Sequence, residues 1–156
     1  MATKKMAIIA SKGTLDMAYP PFILASTAAA LGYEVQVFFT FYGLQLLRKD
    51  LSSVMISPLA NPAMPMPVPM PVMVQMLPGM ESMATMMMKQ KLKKHGVASL
   101  QELRDLCLEA EVKFIACQMT LDLFEFDKSE FIDNVIYGGA ATFMEFAGET
   151  DICLFV

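Results

Sequence analysis

One cysteine lies where a predicted strand ends, a position from which a thiol could do chemistry. Cys117 closes the run VKFIAC (112–117), whose β-branched and aromatic residues predict a buried strand. A thiolate at such a position is a nucleophile suited to persulfide formation, disulfide exchange or peroxide reduction. The alternative is a packing role, because free cysteine is among the most buried residue types.

Four loops are expected to meet beside Cys117, because ligands of open α/β sheets bind at the carboxyl ends of the strands. These loops are SKGT (11–14), TFYG (40–43), CQMT (117–120) and YGGAAT (137–142). Lys12 in the first loop is a candidate positive charge for a thiolate. The amides near Gly138 and Gly139, where a predicted helix begins, are candidate hydrogen-bond donors to the same sulfur.

The remaining candidates for chemistry are few. Cys107 and Cys153 are expected in the core, on the apolar face of a helix and in the middle of the last strand. No CxxC pair supports a dithiol, and whether Cys107 meets Cys117 in space stays open. The single histidine, His95, follows lysines at a helix end and is expected to be a solvated cap. Neither a metal site nor a cofactor is predicted, since Walker A and GxGxxG motifs are absent.

Strands and helices alternate along the chain. Strands are predicted at 6–10, 34–41, 112–117 and 151–156, and helices at 15–31, 42–49, 79–96, 99–110, 127–135 and 138–149. Ser99 and Glu102 form a capping box for the helix at 99–110. One face of that helix is apolar: Leu100, Leu103, Leu106, Cys107 and Ala110. This alternation predicts one α/β domain over residues 1–156, with a mostly parallel sheet of about five strands covered on both faces.

A Pro/Met-rich insertion at about 54–88 interrupts the alternation. It holds seven of the nine prolines, which argue against a helix up to about Pro78 and against a membrane-spanning helix. We predict an extended, polyproline-like segment that lies on the domain or on a neighbouring subunit. Contact of its methionines with a membrane surface or a partner is the alternative.

The composition limits location and partners. Hydrophobic residues make up 55% of the chain and charged residues 18%, which indicates oligomerisation or membrane contact. The net charge of −4 argues against nucleic acid as a partner. Three cysteines without regular spacing form no disulfide framework, and the first residues lack the long apolar core of a signal peptide. These features predict a reducing, cytoplasmic location.

Two stretches resemble a known family. FIACQMTLDLF (114–124), followed by GGAATFMEFAGETDICLFV (138–156), resembles the DsrE/DsrF-like sulfur-transfer family, and the insertion is similar to that of its peroxiredoxin-like branch. The resemblance implies a three-layer, flavodoxin-like fold, homo-oligomers and cytoplasmic sulfur trafficking with TusA-type carriers or rhodanese-like proteins. The family's reactive cysteine corresponds to Cys117. A second cysteine in some relatives gives Cys107 a resolving or accepting role as an alternative to packing.

Two functions are therefore weighed. The first is a sulfur carrier or sulfurtransferase that accepts a sulfane sulfur or thiosulfonate on Cys117 and passes it to a partner protein. The second is a non-catalytic oligomeric platform, or a membrane-surface platform, that uses the insertion. A peroxidase comes third, because the chain has no CxxC pair.

Overall fold

The computed structural model describes residues 2–56 and 71–156. The strands are β1 (Lys5–Ala10), β2 (Glu34–Phe39), β3 (Lys113–Cys117), β4 (Val135–Gly138) and β5 (Ile152–Phe155). The α-helices are α1 (Leu15–Ala30), α2 (Val72–Gln75), α3 (Met80–Lys94), α4 (Leu100–Glu109), α5 (Gln118–Leu123) and α6 (Ala140–Ala147). Two 3₁₀ helices cover Phe41–Leu47 and Lys128–Glu130.

The strands of this described part form one sheet in the order β4-β3-β2-β1-β5, and every pairing is parallel. The predicted α/β class and the five-stranded parallel sheet are confirmed. The strand order differs from the 2-1-3-4-5 order of flavodoxin.

The strand order explains which helices lie on which side of the sheet. From β1 to β4 the chain steps in one direction, and right-handed crossovers keep α1 and α4 on one face. The step from β4 to β5 runs in the opposite direction, so the same handedness carries α6 to the other face. We call these the α1 face and the α6 face.

The main core lies on the α1 face. Phe22 of α1 contacts the rings of Phe39 and Phe114 with centroids 5.9 and 5.8 Å apart, and Cys107 of α4 is buried in the same cluster. The α6 face holds a smaller cluster in which Phe143 stacks on Phe38 at 5.0 Å. Helices therefore cover both faces, as predicted, although α6 covers only the centre of its face and leaves Ile136 and Phe155 exposed.

The insertion contains more helix than its prolines suggested. α2 begins directly after Pro71, so the expectation of no helix before about Pro78 is wrong for this turn. No proline interrupts 72–77, and the amides of Val74 and Gln75 donate to the Pro71 carbonyl. The extended conformation predicted for the rest of the insertion concerns 57–70, which lie outside the described residues. No helix of the described residues is long and apolar enough to cross a membrane.

The strand β4 was not predicted, and its first residue, Val135, is the last residue of the helix predicted at 127–135. Only Lys128–Glu130 of the segment 127–135 is helical, because the Asp127 carboxylate accepts from the Ser129 amide at 2.8 Å and forms a local turn. Val135 already belongs to β4, whose β-branched and aromatic residues pair with β3.

Cys153 is exposed rather than buried in the core. It lies on β5, an edge strand of the sheet, and its side chain points to the α6 face beyond the area that α6 covers. The prediction of a core position for Cys153 is therefore wrong.

Candidate functional site

Cys117 lies at the junction of a strand and a helix. It is the last residue of β3 and the N-cap of α5, and its side chain joins the cluster on the α6 face. Only 4% of the residue is exposed, so the sulfur lies just beneath the surface. The predicted position at the carboxyl edge of the sheet is confirmed.

Polar groups of two loops lie beside Cys117 and influence the pKa of its thiol. Burial by itself raises the pKa of the Cys117 thiol, as the largest single effect. The hydroxyl and amide of Thr120, the hydroxyl of Thr40 and the amide of Met119 lower it. Together these donors outweigh burial and hold the pKa below the ordinary value of 9.0. The site therefore favours a thiolate, the nucleophilic form of cysteine.

The backbone of Phe41 orients the Thr120 hydroxyl. The Phe41 amide donates to Thr120 Oγ1 at 3.1 Å, which leaves the hydroxyl hydrogen of this fully buried threonine for another acceptor. Thr40 Oγ1 lies 3.4 Å from Thr120 Oγ1 and belongs to the same network. Phe41 has a φ of 48°, a left-handed conformation that a bulky residue adopts only under external constraint. This strained turn holds the donors in place.

The predicted meeting of the loops is confirmed for three of them. Thr40 and Phe41 of TFYG contact Thr120 of CQMT. A Cβ at Gly13 of SKGT would lie 2.3 Å from the Tyr42 carbonyl oxygen, so that position requires glycine. Sequence reasoning identified these loops but not the two threonine hydroxyls or the Met119 amide. A threonine three residues after an N-cap was the available signal, since that position lies in the first turn beside the N-cap side chain.

The predicted anion-stabilising groups do not supply these hydrogen bonds. Lys12 is exposed in the loop after β1, two strands from β3, and is absent from the groups that shift the Cys117 pKa. Gly138 lies directly opposite Cys117 in the sheet register, and Gly139 caps α6. Neither glycine donates to the sulfur. The backbone amides that lower the Cys117 pKa are those of Met119 and Thr120, in the first turn of α5.

Gly138 instead leaves space beside the sulfur. A Cβ added there would lie 3.2 Å from the Thr142 side chain, on the sheet face that carries Cys117. We expect Gly138→Ala to slow alkylation of Cys117 by iodoacetamide about threefold, because the added methyl group restricts access to the sulfur. This change corresponds to a rise of ~0.6 kcal/mol in the activation free energy. Gly139→Ala is the matched control, because its Cβ would contact nothing within 4 Å. Equal rates for the two variants would contradict this role.

The other two cysteines lie apart from Cys117. Cys107 is fully buried on the α1 face, where its thiol donates to the Phe22 carbonyl at 3.4 Å. Burial raises its pKa to about 12, which keeps it protonated. The structure does not bring Cys107 to Cys117, because the sheet separates them. Cys153 shares the α6 face with Cys117 but lies three strands away.

Exposed apolar side chains lie near the site. Four of them are on α5 and the neighbouring 3₁₀ helix: Phe41, Tyr42, Met119 and Leu123. Tyr42 stacks on Phe124 with ring centroids 6.0 Å apart, which orders this surface. Among the described residues, no group of three or more histidine, cysteine or acidic side chains could hold a metal ion.

The comparisons with known proteins agree with the resemblance in the sequence. The chain is 68% identical over 160 residues to the sulfur carrier protein DsrE2 of Allochromatium vinosum, with 100% of both chains covered. It is 32% identical to the uncharacterized protein YrkE of Bacillus subtilis, over 99% of this chain and 98% of that protein.

The fold has a counterpart among solved structures. The crystal structure of the ychN protein from E. coli covers 99% of this chain and 100% of its own, with a TM-score of 0.56 and 11% sequence identity. A profile of the DsrE/DsrF/DrsH-like family matches residues 2–155. With this match over nearly the whole chain, the protein belongs to the DsrE/DsrF/DrsH-like family.

Proposed function

We propose that this protein is a sulfur carrier that holds sulfur covalently on Cys117. The observation that carries the proposal is the convergence of Thr120, Thr40 and Met119 donors on one sulfur, which lowers its pKa despite burial. The high identity to a protein named as a sulfur carrier supports the same role.

The proposed reaction is a transfer of sulfane sulfur in two exchanges. The Cys117 thiolate attacks the outer sulfur of a donor persulfide or of thiosulfate. A new S–S bond forms, the donor S–S bond breaks, and a thiolate or sulfite leaves with the electron pair. The thiolate of a partner cysteine then attacks the outer sulfur of the Cys117 persulfide. This second exchange regenerates the Cys117 thiolate, so neither an oxidant nor a reductant is consumed. With tetrathionate, the Cys117 thiolate would attack an inner sulfur. The central S–S bond would break, thiosulfate would leave with the electron pair, and a thiosulfonate group would remain on Cys117.

The partner is proposed to be a small carrier of the TusA type or a rhodanese-like protein in the cytoplasm. The apolar surface of Phe41, Tyr42, Met119 and Leu123 supports docking of a second protein, because exposed apolar side chains grouped around a reactive residue favour protein contact. Homo-oligomerisation is proposed through other apolar surfaces, such as Ile136 on β4.

A non-catalytic platform is the second candidate, and one observation favours it. The segment 72–86, which contains α2 and the first half of α3, exposes several apolar side chains: Val72, Met73, Met76, Leu77, Met83 and Met86. A platform would lose its assembly when 58–78 are deleted, whereas its Cys117 would react like an ordinary thiol. A sulfur carrier would react with iodoacetamide well below pH 9.

The deciding experiment is the intact mass of the reduced protein after brief exposure to polysulfide, thiosulfate or tetrathionate. We expect an adduct of one or more sulfur atoms, or of a thiosulfonate group, that reductant removes. Cys117→Ser should lose the adduct, while Cys153→Ser, a matched control at the exposed thiol, should keep it. An adduct that persists in Cys117→Ser, or an unmodified wild-type protein, would overturn the proposal.

A further inference from the structure

A groove among the described residues lies apart from Cys117. Its volume is about 1010 Å³, and it lies between the second half of α3 and the first half of α4. No residue of α5 or β4 lines it. A smaller cavity of about 390 Å³ adjoins it and shares Ser52, Lys89 and Lys93 as lining residues. A volume of this size accommodates a small organic molecule.

The floor of this groove is apolar. Leu92 of α3, Val97 of the following turn and Leu106 of α4 line it. Leu106 is 49% exposed, although it belongs to the face of α4 that was predicted to be buried. The reason is that α3 does not close over α4 at this point. Tyr19 fixes the turn at the groove, since its hydroxyl donates to the Ala98 carbonyl at 3.1 Å.

The rim carries three ammonium groups, those of Lys49, Lys89 and Lys93. None of them has an ion pair within residues 2–56 and 71–156, where the two ion pairs involve Lys5 and Arg48. Lys89 and Lys93 are four residues apart on α3, a spacing at which like charges destabilise a helix. The helix dipole favours lysines only in the last turn, which excludes Lys89.

The two carboxylates at the rim are already engaged. Asp50 accepts from the amide and the hydroxyl of Ser52, both at 2.9 Å, which lowers its pKa. Glu102 accepts from the Ser99 amide at 2.7 Å in the capping box of α4. Three lysines against two engaged carboxylates leave one net positive charge at the groove. An anion with an apolar body would pair with the ammonium groups of the rim and pack against the apolar side chains of the floor.

We propose that this groove binds a small amphipathic anion, with a carboxylate or sulfonate among Lys49, Lys89 and Lys93 and an aliphatic body on Leu92, Val97 and Leu106. The stretch from Lys89 to Gly96 spans about 10 Å at the helical rise, which suits a medium-length acyl chain. The ligand is a free molecule in solution, and its binding does not depend on the sulfur chemistry of Cys117.

The test is calorimetric titration of the full chain with monomeric decanoate, beside decanol and decyltrimethylammonium. We expect saturable binding of decanoate and much weaker binding of the neutral and cationic analogues. The double variant Lys89→Gln with Lys93→Gln should raise the dissociation constant about tenfold. Lys91→Gln with Lys94→Gln is the matched control, because it removes the same charge from the same helix outside the groove. The control should change the constant less than about twofold.

A third variant, Leu106→Glu, places a carboxylate on the half-exposed floor and should abolish binding while the unfolding temperature stays close to that of the wild type. The proposal would be overturned if decanoate showed no saturable binding. It would also be overturned if the two double lysine variants raised the dissociation constant equally. Co-sedimentation with phosphatidylglycerol vesicles separates a bilayer surface from a free ligand. Binding to vesicles without binding of monomeric decanoate would overturn the proposal in favour of a membrane surface.

Discussion

Replacing Thr120 with valine is expected to slow alkylation of Cys117 at pH 7 about tenfold, because the pKa of the thiol rises when a donor is lost. Valine keeps the shape and the amide of residue 120 but removes the hydroxyl that donates to the sulfur. The Phe41 amide then also loses its acceptor. The thiolate is less stable as a result, and less of it is present at neutral pH.

The measurement is the iodoacetamide rate against pH in a Cys153→Ala background, so that the exposed thiol does not contribute. The midpoint of this rate–pH curve should move to higher pH in Thr120→Val, while the plateau rate at high pH stays unchanged. Thr142→Val is the matched control, because this exposed threonine does not bond to Cys117. An unchanged midpoint in Thr120→Val would refute the role of the hydroxyl.

The same variant should change how stability depends on pH. The fold lowers the pKa of Cys117, so it stabilises the ionised form. This contribution is fully present above the ordinary value of 9.0 and is lost as the pH falls through the lowered pKa. The free energy of unfolding should therefore be higher in the wild type than in Thr120→Val at high pH. This difference should shrink as the pH falls below 9.

Replacing Arg104 with methionine is expected to lower the free energy of unfolding by about 2 kcal/mol. Arg104 is 1% exposed, and its guanidinium donates to the carbonyls of Leu46 and Arg48 and to the Gln101 side chain. Methionine fills similar space but leaves both carbonyls unpaired. Relief of the buried charge offsets part of this cost, because burial already lowers the Arg104 pKa.

Urea unfolding measures this loss, and Arg48→Met is the matched control. Arg48 lies nearer the surface, pairs with Glu130 at 2.7 Å and stacks on Phe126. Its replacement should cost under about 1 kcal/mol, because partly exposed ion pairs contribute little. Equal losses in both variants would contradict the role of Arg104. Arg104 also fixes the end of the 3₁₀ helix that begins at Phe41, so its loss should weaken the network at Cys117.

Local patterns in the sequence were sufficient to predict much of the fold. The capping box of Ser99 and Glu102 forms as predicted, since it involves hydrogen bonds three residues apart. The continuous apolar runs predicted the parallel strands, because buried strands have no polar face. The resemblance identified the family, which the match over residues 2–155 confirms. The same local reasoning placed Cys117 at the end of a strand.

Other features depend on contacts between distant segments. β4 pairs with β3, a contact that the sequence alone did not reveal. Cys153 is exposed because the strand order puts β5 at an edge. The network at Cys117 joins Thr40 to Thr120, which are 80 residues apart.

Periodicity and capping act within a few residues, so the α/β class, most elements and the cysteine at the carboxyl edge could be predicted before the fold was known. The groups that lower the pKa of that cysteine, and the separation of the other two cysteines from it, depend on how distant segments pack. Those outcomes depend on strand order and on the direction of each side chain, and a change of one residue in register would move a side chain to the opposite face of the sheet.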